Sequence, residues 1–348
     1  VLRNAGNTCT HAEGSFVGSL EFATGALGSR LILVLGHTKC GAIYGATKGY
    51  FDAKLGAGSS SSALEALLHD LGSVAEVAAG EKGASADFET VASHAVKVNV
   101  FHTINFLLKY SKSLRQQVQS GKLEIQGGIY QLETGKVEFL GPSPEQKALT
   151  AESLTSVPPS LLAPKEPAPA TVRTAADDAV LPQKALEYLK SGNKRYVTGT
   201  PKAPTTTQDM RKALVDKGQA PHAAIIGCAD SRAPVETLFD AAPGDLFVLR
   251  NAGNTCTHAE GSFVGSLEFA TGALGSRLIL VLGHTKCGAI YGATKGYFDA
   301  KLGAGSSSSA LEALLHDLGS VAEVAAGEKG ASADFETVAS HAVKVNVF

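Results

Sequence analysis

The chain has no tryptophan, a single methionine and only five cysteines in 348 residues. Its net charge is -2, so no excess of either sign points to nucleic acid or an anionic membrane as a partner. No apolar run approaches the roughly 20 residues needed to cross a bilayer. The longest, 31–35, suits a buried strand. Scarce cysteine also argues against a disulfide framework. Cys9, Cys40, Cys228, Cys256 and Cys287 reduce to three types of position once duplication is removed, and Cys40 and Cys287 each follow a histidine by three residues. An odd number of that kind fits metal binding better than pairing. What is present is ordinary: 44% hydrophobic and 18% charged residues, enough to build a core.

The duplication is the dominant feature. Residues 1–101 return letter for letter as residues 248–348, an offset of 247. Repeats of roughly 20–50 residues build solenoids, whereas this period is a whole domain plus a linker. Eight of the 13 prolines lie between Pro142 and Pro182, among Ala, Ser and Thr. Proline breaks helices and cannot donate to a ladder, so 148–177 reads as an extended linker. Residues 1–147 are then the C-terminal two-thirds of one repeat, and 178–348 the N-terminal three-quarters of the next. Both ends of the chain cut through a unit, and a targeting segment would lie upstream of Val1. In a permuted alternative, 178–247 completes 1–147. That reading splits a central strand between Phe247 and Val1 and leaves 248–348 surplus, so the window on a longer array is preferred.

Along one unit, 185–189 reads as a helix ended by Gly192, and 208–217 as a second helix. Apolar runs at 223–226, 245–249 and 277–282 read as strands, with 263–274 helical between the last two. Helices follow at 310–318 and 334–345, after a solvated loop or cap region at 306–309. The first copy supplies the remainder: helices at 100–110 and 114–120, then strands at 123–126 and 137–140. Continuous apolar runs alternating with helical stretches predict an α/β fold, a mostly parallel sheet covered on both faces.

Cys228 ends the first strand of the unit, and His284 and Cys287 follow the third. The carboxyl ends of adjacent parallel strands open into one crevice, where a Cys and a His-x-x-Cys can converge on one ion. Thiolates with an imidazole select zinc, and three protein ligands leave a fourth position for water. Alone, each signal is weak: H-x-x-C recurs by chance, and a lone strand-end Cys is commonly a small buried hydrophobe. Asp230 and Arg232 beside Cys228 strengthen the case, although such an ion pair is commonly structural.

These residues spell a family. Cys228-Ala229-Asp230-Ser231-Arg232, Pro243-Gly244-Asp245-Leu246-Phe247, Arg250-Asn251-Ala252-Gly253-Asn254 and Gly283-His284-Thr285-Lys286-Cys287-Gly288-Ala289 resemble the β-class carbonic anhydrases. The likeness covers everything except the linker, from Gly192-Asn193-Lys194-Arg195-Tyr196 to Gly127-Gly128-Ile129-Tyr130. It implies the corresponding fold, with a terminal antiparallel strand, and Zn²⁺ on Cys228, His284 and Cys287. Asp230 is then the acceptor for zinc-bound water, and Arg232 holds Asp230 away from the metal. The implied reaction is reversible hydration of CO₂ to bicarbonate and a proton by zinc-bound hydroxide. The implied assembly is a homodimer, a pseudo-dimer of repeats or a higher oligomer, with neither nucleic acid nor membrane as partner. His37 and Cys40 bind zinc only if a cysteine reaches them from an upstream segment, from a permuted Cys228 or from another chain. The compartment is left open, a chloroplast or another CO₂-handling one being compatible.

In another class of carbonic anhydrase, three histidines bring zinc-bound water to a pKa of about 7. Two thiolates cancel the ion's charge, so the water here is expected to be less acidic. Hydration is therefore expected to rise between pH 6 and 9, and a rate already at its plateau near pH 6 would exclude this charge argument.

Some family members are switched off at low pH, when the aspartate moves onto zinc and bicarbonate enters a second pocket of Trp, Arg and Tyr. Arg250 and Tyr130 match two of these, but the tryptophan position is Ile225. No such switch is expected, and Asp230 should stay paired with Arg232. A glutamine of plant-like members is replaced by Ala242. Elsewhere, Cys256 is expected to be buried, His258 to lie on a solvated loop, and His316 and His222 to be exposed. Asn251 and Gly253 are expected to shape a turn. Two rival functions share the site: hydrolysis of COS or CS₂, and a non-catalytic scaffold of zinc domains on proline-rich linkers.

Overall fold

The computed structural model describes residues 1–9, 14–52, 62–83, 85–150, 172–256, 261–299, 310–330 and 332–348. In the first copy, α1 (Ser15–Gly25), β1 (Leu31–His37), α2 (Gly41–Phe51), α3 (Ala63–Lys82) and α4 (Phe88–Tyr110) lead into α5 (Lys112–Gln119). Then follow β2 (Glu124–Tyr130), β3 (Val137–Gly141) and α6 (Gln146–Thr150). Beyond the linker come α7 (Pro182–Val197), α8 (Gln208–Lys217), β4 (Ala223–Cys228), α9 (Val235–Leu238) and β5 (Leu246–Asn251). The second copy continues with α10 (Ser262–Glu268), β6 (Ile279–Leu282), α11 (Gly288–Phe298), α12 (Ala310–Lys329) and α13 (Phe335–Val345). The linker's 151–171, His258 and 306–309 lie outside the described residues.

The strands form two sheets rather than one. One has the order β1-β2-β3, with β1 and β2 parallel and β3 antiparallel; the other, β5-β4-β6, is parallel throughout. The same LILVLGH sequence thus pairs through β1 with β2 and through β6 with β4. Cover is less complete than the apolar runs predicted: in β1 Ile32 and Val34 are buried but Leu31, Leu33 and Leu35 are exposed, so 31–35 is covered on one face and is not the fully buried strand expected. Leu67, Leu71 and Val74 of α3 and Val91 and Ala95 of α4 pack into one core, and Leu314, Leu318 and Val338 repeat the arrangement in the second copy. At roughly 25 cal/mol per Å² of buried apolar area, such packing is the main stabilising contribution. β4 is buried along its whole length, which explains its uninterrupted apolar run. Among the described residues, no helix is long and apolar enough to cross a membrane.

The two copies face each other across a local two-fold axis. Arg3 and Arg250, equivalent positions, form an antiparallel bridge with both N–H···O distances 3.0 Å. Only a two-fold operation pairs a residue with its own counterpart in this way. The flanking contacts come in matched pairs. Glu21 Oε2 accepts the Leu311 N–H at 2.9 Å, and Glu268 Oε2 accepts the Leu64 N–H at 2.6 Å. Each copy thereby caps the first turn of the other's long helix, where the free N–H groups favour an anion.

Three further expectations need correction. Gly192 does not end a helix: α7 continues to Val197. A Cβ at Gly192 would sit 1.8 Å from the Phe239 carbonyl oxygen, so the glycine serves close packing. Cys256 is exposed, although its counterpart Cys9 is buried. His222 is not a surface residue. It is 7% exposed, lies edge-on to Tyr188 and leaves Nδ1 without a hydrogen-bond partner. The reason is that it leads into β4, its N–H donating to the Asp245 carbonyl at 2.9 Å.

Burial, aided by Arg173, lowers the His222 pKa to about 4. The folded state therefore holds a neutral imidazole that the unfolded chain protonates below about 6.5. This contribution is complete above pH 6.5 and is lost as pH falls towards 4, by up to about 3 kcal/mol. Urea unfolding at pH 7.5 and 4.5 should show a smaller pH loss for His222→Phe than for wild type; equal losses would contradict it.

Candidate metal centre

β4 carries Cys228 to the end of its run, level with Asn251 of β5. After β6 the chain passes Gly283 and His284 and turns at Lys286, which adopts a left-handed conformation (φ 55°). Cys287 then takes the N-cap position of α11. The left-handed residue reverses the chain within three residues and returns Cys287 beside His284. The side chain of Lys286 is tied to Glu336.

One ligand atom each from Cys228, His284 and Cys287 lie within 4.8 Å of one another, and no other group of three or more potential ligands gathers among the described residues. The two sulfurs are 3.8 Å apart and buried. His284 Nδ1 lies 2.9 Å from the Thr285 carbonyl oxygen. That contact fixes the tautomer with the proton on Nδ1 and leaves Nε2 as a lone pair, the usual arrangement of a metal-binding histidine. Nε2 is itself buried without a hydrogen-bond partner.

The two sulfurs are in hydrogen-bond contact, and this contact is the chief reason the Cys228 thiol is pushed well down against the cost of burial. The same contact, with burial, pushes the Cys287 thiol up, despite the favourable amides of Ala289 and Ile290 at the start of α11. A second thiolate 3.8 Å from the first would be repelled unless a cation lay between them. The donor set of two sulfurs and one unpaired imidazole nitrogen therefore fits a zinc ion.

Asp230 stands beside this group, one carboxylate oxygen 3.7 Å from His284 Nε2. The Arg232 guanidinium donates to both carboxylate oxygens, at 2.9 and 2.6 Å, and the Arg232 N–H adds a third bond at 2.9 Å. These hydrogen bonds hold the Asp230 carboxyl down at about 2. Arg232 also donates to the Lys286 carbonyl at 3.0 Å, tying the aspartate loop to the His-x-x-Cys turn.

Several supporting contacts were not read from the sequence. Arg250 is buried and donates to the carbonyls of Cys228 and Asp230, both at 2.7 Å. The Gly253 N–H donates to Cys228 Sγ at 3.4 Å. Asn251 shapes the turn as expected: its Nδ2 donates to the Thr255 carbonyl at 2.8 Å and its Oδ1 accepts the Thr255 N–H at 2.9 Å. Ser15 and Ser19 reach that turn from the first copy. No linear signal marks partners more than 230 residues apart. In the first copy, His37 keeps its bond to the Thr38 carbonyl and Cys40 is buried. The structure brings no third ligand to them among the described residues, so their expected role as zinc ligands finds no completed set.

A family model described as carbonic anhydrase matches residues 1–137 and 223–348. The chain belongs to this family. The two matched segments fall on the two parts of the tandem arrangement, and the motifs are those of its β-class form. The chain is 44% identical over 124 residues to carbonic anhydrase 2 of Mycobacterium tuberculosis, covering 36% of this chain and 58% of that protein. It is 43% identical over 109 residues to a carbonic anhydrase of Mycolicibacterium smegmatis, covering 31% and 51%. The chain thus spans little more than half the length of these curated relatives. A solved tetrameric beta-carbonic anhydrase of Sordaria macrospora is 28% identical, covering 47% of this chain and 77% of its own, with a TM-score of 0.35. At that score the likeness carries no argument about the fold.

Proposed function

We propose that this chain is a zinc carbonic anhydrase that hydrates CO₂ reversibly to bicarbonate and a proton, with Cys228, His284 and Cys287 holding the ion. The observation that carries the reading is the gathering of two thiols and a buried, unpaired imidazole nitrogen within 4.8 Å, beside an aspartate locked by an arginine. A zinc ion bound there supplies Lewis-acid activation of water for attack on CO₂.

The chain's own residues prepare the rest. Asp230, ionised at any working pH because Arg232 holds it at about 2, acts as a hydrogen-bond acceptor that orients the reacting water, not as a proton source. Arg232 engages both carboxylate oxygens and so keeps Asp230 from becoming a fourth ligand. Arg250, on the Cys228 and Asp230 carbonyls, fixes the distance between ligand and acceptor. Repeats 1–147 and 178–348, separated by a linker at 148–177, form a pseudo-dimer within one chain; the paired contacts about Arg3 and Arg250 support this.

The test is CO₂ hydration by the zinc-loaded chain, assayed beside hydrolysis of COS and CS₂. CO₂ turnover is the expected result. Turnover of COS or CS₂ alone would reassign the substrate, and bound zinc with no turnover would favour a scaffold.

A further inference from the structure

We infer that α1 of the first copy is a positioning element for the metal centre of the second, acting through Ser19 and the turn 251–253; this rests on the zinc reading above. Ser19 is buried, and its Oγ accepts the Ala252 N–H at 2.8 Å. Its own hydroxyl proton goes to the Ser15 carbonyl, which turns its lone pairs towards the turn. Ser15, one helical turn earlier, accepts from Asn251 Nδ2 at 3.0 Å. The next amide in line, that of Gly253, donates to Cys228 Sγ. The first copy thus holds residues 251 and 252, and residue 253 delivers its N–H to the sulfur.

A hydrogen bond to a thiolate is charge-assisted and favours the anion that a metal requires. Ser19 touches no metal ligand, so it acts by placing the donor that does.

The two-fold arrangement supplies an internal control. Ser266 of the second copy accepts the Ala5 N–H at 2.9 Å, and Ser262 accepts from Asn4 at 2.9 Å. The sequence and the interface are the same. The turn braced there, however, belongs to the copy in which His37 and Cys40 meet no third ligand among the described residues. Of two identical serines, only Ser19 reaches a complete centre.

The experiment compares Ser19→Ala with Ser266→Ala in the full chain. Zinc affinity is measured by chelator competition, the thiolate-to-metal absorption after cobalt substitution, and the unfolding temperature. Ser19→Ala should weaken zinc binding about tenfold, the low end for contacts that support a ligand, and Ser266→Ala by less than about twofold. Ser19→Ala should also move the cobalt band, while both variants lose similar thermal stability, each having lost one buried interface hydrogen bond. Equal zinc affinities in the two variants would overturn the inference. A wild-type chain that takes up no zinc overturns the zinc reading and this one with it. Should Ser19→Ala not fold, Ser15→Ala against Ser262→Ala is read in the same way.

Discussion

Replacing Cys228 by serine should lower zinc affinity and CO₂ hydration by well over about 100-fold, because loss of even a supporting contact to a metal ligand costs roughly 10–100-fold. Cys40→Ser should change neither by more than about twofold. Serine is nearly isosteric with cysteine, but its hydroxyl stays protonated where a thiol ionises. Cys228 is the one residue of the set without a duplicate: the first copy repeats His284 and Cys287 as His37 and Cys40, but no second Cys228 exists. The comparison therefore separates the unduplicated ligand from a cysteine of the copy that meets no third ligand among the described residues. Circular dichroism and metal content, read beside activity, separate a lost ion from a lost fold. Wild-type zinc content in Cys228→Ser would refute the site, and strong loss in Cys40→Ser would place the centre in the first copy instead.

Gly18→Val should destabilise the chain by about 3 kcal/mol, the upper end of the usual range for overpacking. A Cβ at Gly18 would lie 2.4 Å from the Ala310 carbonyl oxygen and 3.0 Å from Leu314 Cβ, and one at Gly265 would lie 2.5 Å from the Ala63 carbonyl oxygen. Backbone at that distance cannot turn aside as a side chain can, so α1 and α12 must separate. Separation also pulls Glu21 from the Leu311 N–H, leaving a buried carboxylate with Ser111 as its remaining partner and adding a desolvation cost. Urea unfolding reads the change. A midpoint equal to that of wild type would show that α1 is not seated on α12.

The strands were legible because a central strand covered on both faces has to be apolar throughout, as β4 is. The helix at Gln208–Lys217 was legible from its own termini, with Thr207 accepting the Met210 N–H and Gly218 at a positive φ of 69°. Gly192 misled because a glycine that serves a helix contact looks the same, in one dimension, as one that ends a helix. His222 misled because its burial depends on Tyr188 and on the strand it leads into. At the site, the donors and the Asp230–Arg232 pair were readable, since that pair spans two residues. Arg250 and Ser19 were not, since their partners are 22 and 233 residues away.

The duplicated segment marks the boundary between the two kinds of information. Sequence alone determined the donor types, the α/β class and the tandem arrangement, because ligand chemistry and apolar runs are local properties. It could not distinguish 1–101 from 248–348, which are identical. Tertiary structure decided that Cys9 is buried and Cys256 exposed. It decided that Arg3 pairs with Glu236 while Arg250 holds the carbonyls of Cys228 and Asp230. It decided, too, that only one His-x-x-Cys meets a third ligand among the described residues. The physical reason is strand pairing: the centre needs side chains from two strands, and of the two strands that lead into a His-x-x-Cys, β6 pairs with the strand that carries Cys228 whereas β1 pairs with β2.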